Sequence, residues 1–184
     1  MSRRYVLDPR GSRFTVQAFS TGVLGGFAHS PKFRIRDYSG ELSITNEEAG
    51  EFTFAMKVAA GSLELIDSVK EADRKEIQRQ VMDEVLEVQK FPEISFAGKS
   101  NGGTKIADGW FRSRIEGEMV LHGVKGPLHI EAQLRLTEAG ARLGGEFELR
   151  ISDYKIKRVT GMAGLVRVKD ELKFEFDLVG QEGE

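Results

Sequence analysis

The 184-residue chain contains no cysteine, only four prolines and a single tryptophan. Without cysteine it forms no disulfides, thiolate nucleophiles or cysteine metal sites. No apolar stretch approaches the length of a membrane span, and the basic amino terminus lacks the apolar run of a secretory signal. We therefore expect a cytoplasmic protein without stable membrane insertion.

The chain also lacks a strong net charge, because 27 basic and 29 acidic residues are interleaved and leave a net charge of −2. Such a surface has no field that would attract nucleic acid or an anionic membrane, so neither is expected as a partner. Hydrophobic residues make up 40% of the chain and charged residues 30%, as in ordinary globular proteins. We expect residues 1–184 to form one domain, with a homodimer as one option for its oligomeric state.

Catalytic motifs are absent as well. The sequence has no Gly-x-Ser-x-Gly nucleophile turn, phosphate loop or dinucleotide fingerprint. His122 and His129 fall on the outward period of their segments, so we expect both to face solvent rather than to bind a metal as a pair. The sequence therefore predicts a protein that is not an enzyme and has no metal or cofactor.

Residues 115–149 are the most regular part of the chain. Apolar and polar residues alternate there over three segments, as in half-buried strands. We interpret them as an antiparallel meander in which a loop at 123–126 sets Leu121 opposite Leu128. A turn at 139–140 would likewise set Leu136 opposite Leu143. The inward-facing set predicted from this pattern is Met119, Leu121, Ile130, Ala132, Leu134, Phe147 and Leu149.

The same alternation recurs in shorter segments before and after the meander, including 12–19, 33–44, 52–58 and 172–178. Between them, Ile77, Val81 and Val85 recur at a spacing of four and predict an amphipathic helix over 69–88. About eight strands ending in one as apolar as the central ones favour a sheet closed on itself. The predicted fold class is therefore all-β, an eight-stranded antiparallel barrel with one amphipathic α-helix.

A barrel of eight strands is either filled by side chains or holds one small ligand. Gly117, Gly145 and Ala132 are small residues at inward positions, and we take them to leave room in the lumen. The basic segment with Lys155, Lys157 and Arg158 is one option for contacting the polar headgroup of a ligand, and a solvated loop cluster is the other.

Four segments resemble the YceI-like family of lipid- or polyisoprenoid-binding proteins. They are residues 5–9 (YVLDP) with Ser12 and Phe14, 91–96 (FPEISF), 115–127 (IEGEMVLHGVKGP) and 152–154 (SDY). The resemblance implies a lipocalin-like barrel with the helix beside its mouth and a long apolar chain in the lumen, such as an isoprenoid, an isoprenoid quinone or a fatty acid.

The chain departs from that family at three points. Relatives carry a histidine at the end of the first strand, where this chain has Phe19 and Ser20. They carry an Arg-Asp-x-His-Leu run at the helix start, which is Asp-Arg-Lys-Glu-Ile here, and a glycine where Lys155 stands. The polar contacts that those residues make in relatives do not carry over.

These patterns predict a carrier or sequestering protein that binds an apolar small molecule. Two rivals remain open, a filled barrel acting as a structural or stress-response module and a lipid-acting enzyme. The predicted ligand-binding residues are Phe14, Val16, Phe27, Phe52, Phe54, Met56, Gly117, Met119, Ile130, Ala132, Leu134, Gly145, Phe147, Phe174 and Phe176. The predicted headgroup contacts are His29, Lys155, Lys157 and Arg158.

Overall fold

Alternating apolar and polar residues form long antiparallel strands along most of the chain. The computed structural model describes residues 3–22, 30–158, 160–161 and 166–183. The strands are β1 (Arg3–Leu7), β2 (Arg13–Gly22), β3 (Lys32–Ile35), β4 (Tyr38–Asn46), β5 (Glu51–Ala59), β6 (Leu63–Leu65), β7 (Glu93–Asn101), β8 (Gly103–Ala107), β9 (Trp110–Leu121), β10 (Val124–Thr137), β11 (Gly140–Arg150), β12 (Thr160–Gly161) and β13 (Val166–Glu182). Helix α1 (Glu71–Gln80) continues as a π-helical segment, Val81–Val85.

Hydrogen bonding closes the sheet into a barrel with eight strand positions. Strands β1 and β2 both pair with β13, so together they occupy one position, and β3 and β4 together occupy the next. The other six positions are occupied by β5, β7, β9, β10, β11 and β13, each antiparallel to its neighbours. The predicted eight-stranded antiparallel barrel is confirmed.

Both predicted turns of the meander are wrong in register. The first is a two-residue turn at His122 and Gly123, whose φ angles of +53° and +70° are those of a tight hairpin turn. It sets Leu121 opposite Val124, while Leu128 lies opposite Gly117. A side chain keeps its face of the sheet when the register shifts by an even number of residues. The predicted inward-facing residues therefore still point inward.

The second turn of the meander is formed by residues 138–139. It sets Leu134 opposite Leu143 and Leu136 opposite Ala141, which is a shift of two residues from the prediction. All members of the predicted inward set are buried except Phe147, which is partly buried against the core.

The two ends of the barrel differ. The lower end carries the turns at residues 47–50 and 138–139, and a group of fully buried side chains lies in that half. Each is at most 2% exposed, and none lines the cavity described below. We call this group the lower core, which comprises Tyr5, Leu42, Ile44, Phe52, Phe111, Ile115, Leu134 and Leu143.

The helix packs at the upper end of the barrel. Ile77, Val81 and Val85 lie partly buried against the core, and Leu86, just after the helix, is buried. The predicted apolar face is thus confirmed, although the helix is shorter than the predicted span of 69–88. The Arg74 guanidinium fixes the helix to the chain after β6 by donating hydrogen bonds to the carbonyl oxygens of Leu65 and Asp67. None of the helices described in residues 3–22, 30–158, 160–161 and 166–183 is long and apolar enough to cross a membrane.

Candidate ligand-binding cavity

The upper half of the barrel contains a cavity of about 60 Å³. It is bounded by inward-facing side chains of β2, β3, β5, β7, β9, β10, β11 and β13, which is why alternation placed most of them correctly. Eight of the predicted ligand-binding residues line it. These are Phe14, Phe54, Met56, Met119, Ile130, Phe147, Phe174 and Phe176.

Six other predicted residues do not line the cavity. Phe52 and Leu134 belong to the lower core, because strand alternation fixes the face of a residue but not its height in the barrel. Val16 and Ala132 are buried in the wall, and Gly117 and Gly145 lie beneath aromatic rings. Phe27 and His29 lie outside the described residues.

The two inward glycines do not leave room for a ligand, contrary to the expectation from sequence. A Cβ atom on Gly117 would lie 2.4 Å from the Ala97 carbonyl oxygen and 2.7 Å from the tip of the Phe96 ring. A Cβ atom on Gly145 would lie 2.6 Å from the Glu131 carbonyl oxygen and 2.9 Å from the tip of the Phe176 ring. The glycines therefore allow close strand packing and seat two of the rings that fill the lumen.

Sequence reasoning missed several lining residues. Ile94 and Phe96 share a face of β7 by simple alternation, and Leu178 continues the inward series of Phe174 and Phe176. That signal was present in the sequence and would have found all three. The complete missed set is Ile35, Val58, Ile94, Ser95, Phe96, Leu121 and Leu178.

Phenylalanine rings dominate the cavity wall on two sides. On β2, β11 and β13, the rings of Phe147 and Phe174 are stacked with centroids 4.6 Å apart and planes within 2°. Phe14 meets Phe176 nearly edge-on at 6.4 Å, and meets Phe174 at 6.3 Å. On the facing side, Phe54 and Phe96 lie 6.1 Å apart. Such contacts add to the burial of the rings and define the shape of the lumen.

The cavity surface formed by the described residues is entirely apolar. Ser95 is the one lining residue among them with a polar side chain, and alternation with Ile94 and Phe96 directs that side chain away from the lumen. The nearby Tyr38 ring packs edge-on against Phe14, and burial raises the pKa of the Tyr38 hydroxyl, which therefore stays neutral. The wall offers no charge to a ligand, so it suits hydrocarbon and excludes an ionised group.

The predicted headgroup cations lie at the upper end, directly after a helical turn formed by Ile151–Tyr154. Lys155, Lys157 and Arg158 are exposed. Lys155 adopts a left-handed conformation with φ of +57°, a conformation that glycine adopts without steric cost. Whether these side chains contact a ligand stays a prediction.

The residues Ser152-Asp153-Tyr154 belong to a structural unit. The buried Asp170 carboxylate accepts hydrogen bonds from the Ser152 hydroxyl at 2.6 Å and the Ser152 amide at 2.9 Å. It also accepts one from Arg150 at 3.2 Å. The hydrogen bonds from Ser152, followed by the interaction with Arg150, lower the pKa of Asp170. This network holds the turn against β13.

His122 is a correction to the sequence analysis. Its side chain is only 11% exposed, and its Nε2 lies 2.6 Å from a Glu87 carboxylate oxygen. The imidazole also packs on the ring of Phe91, at 4.4 Å between centroids. His122 is itself a turn residue with a positive φ, which redirects its side chain. The imidazole therefore faces the end of the helical segment rather than solvent. His129 is exposed, as predicted.

The sequence matches the YceI-like domain over residues 5–180. The chain belongs to the YceI-like family. The four motifs that suggested this membership also have structural counterparts. The first two form β1 and the start of β7, the third forms β9 with its tight turn, and the fourth forms the turn held by Asp170.

Solved structures similar to this YceI-like chain share its fold at low sequence identity. BcnA from Burkholderia cenocepacia is 15% identical with a TM-score of 0.69, covering 94% of this chain and 98% of that one. A polyisoprenoid-binding domain from Saccharophagus degradans, implicated in plant cell wall breakdown, is 15% identical with a TM-score of 0.70, covering 97% and 98%. The YCEI protein from Campylobacter jejuni is 16% identical with a TM-score of 0.59, covering 82% and 84%. Among curated proteins, none matches the chain.

Proposed function

We propose that this protein binds the apolar chain of a small molecule in the upper cavity and thereby carries or sequesters it. The observation that carries the proposal is the wholly apolar wall, lined by six phenylalanine rings and closed below by the lower core. The similarity to a polyisoprenoid-binding domain favours an isoprenoid chain, including that of an isoprenoid quinone, and a fatty acid is the other option.

The affinity would come from burial of hydrocarbon. Each methylene removed from water contributes about 0.8 kcal/mol, so ten carbons contribute about 8 kcal/mol. That value falls within the estimated range of about 4–15 kcal/mol for the entropic cost of association. An uncharged wall is sufficient for such a ligand, and we infer that a polar headgroup stays at the upper end near Lys155, Lys157 and Arg158.

Binding rather than catalysis is the better-supported activity. An enzyme acting on the buried chain needs an acid, a base or a nucleophile directed into the lumen. The lining side chains among the described residues supply none of these. We infer that residues 1–184 act as one unit, since β13 closes the barrel against β1.

A filled barrel is the second candidate function, and the small size of the cavity favours it. About 60 Å³ accommodates roughly four to six water-sized groups, so a longer chain requires side chains to move. In that case the protein would act through its surface as a structural or stress-response module.

Native mass spectrometry of the purified protein, before and after solvent extraction, distinguishes the two functions. We expect a co-purified apolar molecule that extraction removes, followed by saturable binding of the fluorescent polyene cis-parinaric acid and its displacement by farnesol. A protein that carries no such molecule and binds neither probe would support the filled barrel.

The cytoplasmic location and the homodimer option stay predictions from the sequence. Cell fractionation with an antibody against the protein tests the first, and light scattering coupled to size-exclusion chromatography tests the second.

A further inference from the structure

Two stacked rings form part of the wall between the upper cavity and solvent. Phe147 on β11 and Phe174 on β13 are directly opposed cross-strand neighbours. Their rings are stacked at 4.6 Å, both line the cavity, and both are partly exposed. The pair therefore has one side in the lumen and the other in contact with water.

The other partly exposed lining residues in the described chain are Ile94 and Ser95, on β7 across the barrel. Alternation turns the Ser95 side chain away from the lumen, so Ile94 alone faces the stack from that side.

The cavity is too small for such a chain as it stands. Its volume of about 60 Å³ compares with about 300–1,000 Å³ for ordinary small-molecule pockets. Some part of the wall must move before a chain longer than a few carbons is accommodated.

The wall differs from place to place in how easily it can move. Phe96 and Phe176 are buried, and each is seated on an inward glycine against backbone atoms. Displacing either ring would leave a void in a packed interior, which is costly. Phe147 and Phe174 are only partly buried, so displacing them removes less packed surface, and rotamer changes at exposed side chains are fast.

We propose that the Phe147–Phe174 stack is a gate, whose rings separate to admit an apolar chain and close behind it. The pair then sets the rates of ligand entry and exit and part of the lumen volume, whereas the deeper rings set affinity. This inference rests on the proposed ligand-binding function and assigns the two residues a kinetic role within it.

Stopped-flow fluorescence with cis-parinaric acid tests the gate in wild type, Phe147→Ala and Phe174→Ala. Phe96→Ala is the matched control, since it removes an equally large lining ring that is not in contact with solvent. We expect each gate variant to raise the association and dissociation rate constants about tenfold while the equilibrium constant changes much less. Phe96→Ala should leave the association rate constant unchanged and alter dissociation only.

Phe147→Leu keeps an apolar side chain and serves as the variant of choice if Phe147→Ala fails to fold by near-ultraviolet circular dichroism. Probe binding with wild-type association rates in the folded gate variants would overturn the gate and leave the proposed function intact. Absence of binding in wild type and in every variant would overturn both. Binding by a gate variant but not by the wild-type protein would show only that the substitution creates a void, and it would overturn the gate.

Discussion

The lower core and the upper cavity are built from the same alternating strands, yet they differ in how completely their side chains are buried. In the lower core, eight large side chains are at most 2% exposed, and none of them lines the upper cavity. In the upper cavity, Ile94, Phe147 and Phe174 remain partly exposed around a void. We infer that the lower core provides the stability of the fold and leaves the upper half free to rearrange around a ligand.

Removing one ring from each half of the barrel tests whether the lower core contributes more to stability than the upper half. Phe111→Ala deletes a fully buried ring of the lower core and should lower the free energy of unfolding by about 3–5 kcal/mol. Phe147→Ala, in the upper half, should cost only about 1 kcal/mol because that ring is already partly exposed. Urea unfolding followed by circular dichroism measures both values. Equal losses would mean that the two halves share the stability of the barrel.

A buried charge under the helix tests how firmly the upper end is held. Val81→Asp places a carboxylate against the core and should lower the free energy of unfolding by about 2 kcal/mol or more. Ala72→Asp is the control, because it adds the same charge at an exposed position of α1. If thermal unfolding midpoints of the two variants coincide, the helix does not contribute to the packing of the upper half.

The turn at Ser152 in the upper half should be sensitive to acid. The pKa of Asp170 is lowered in the folded state, so its contribution to stability is present above the unfolded pKa of about 4 and is lost as pH falls through the folded value. At neutral pH, Asp170→Asn should cost about 1.5 kcal/mol, since hydrogen bonds to a charged acceptor are lost. Unfolding measured over a pH series should show the gap between variant and wild type closing under acid conditions. A constant gap would contradict this assignment.

The smallest expected effect concerns the lower core. The buried Tyr5 hydroxyl has no hydrogen-bond partner among the described residues, so Tyr5→Phe should raise the free energy of unfolding by about 1 kcal/mol. Tyr38→Phe is the matched control, since Ser12 interacts with the Tyr38 hydroxyl and removing that hydroxyl should not stabilise the protein. Differential scanning calorimetry measures the change in unfolding free energy for both variants. A loss of stability in Tyr5→Phe would show that the Tyr5 hydroxyl is paired.

The sequence was sufficient to predict which side chains point inward, but not where they lie along the barrel axis. A period-two pattern does not distinguish Leu134 from Ile130. Leu134 nevertheless belongs to the lower core, whereas Ile130 lines the cavity. That difference depends on the tilt and stagger of strands from distant parts of the chain. The predicted register of the meander was wrong for a related reason. Gly123 and Gly126 both suit a turn, and the sequence does not show that the tight turn at His122 is the one that pairs β10 with β9.

The role of the inward glycines could not be predicted from the residue pattern along a single strand. Gly117 alone indicates a missing side chain and hence space. The neighbouring strand places Gly98 directly opposite it and directs the Phe96 ring onto both. Only the cross-strand partner reveals that the space is occupied.

Strand β13 has a further consequence for how the chain reaches its native state. It pairs with β11 on one side and with both β1 and β2 on the other, so barrel closure joins residues from opposite ends of the sequence. During synthesis, β2 and β11 emerge from the ribosome before their common neighbour and expose unpaired backbone edges until it arrives. Contacts so distant in sequence form slowly, and open edges favour association with other chains. The nascent barrel is thus vulnerable to aggregation until β13 has emerged.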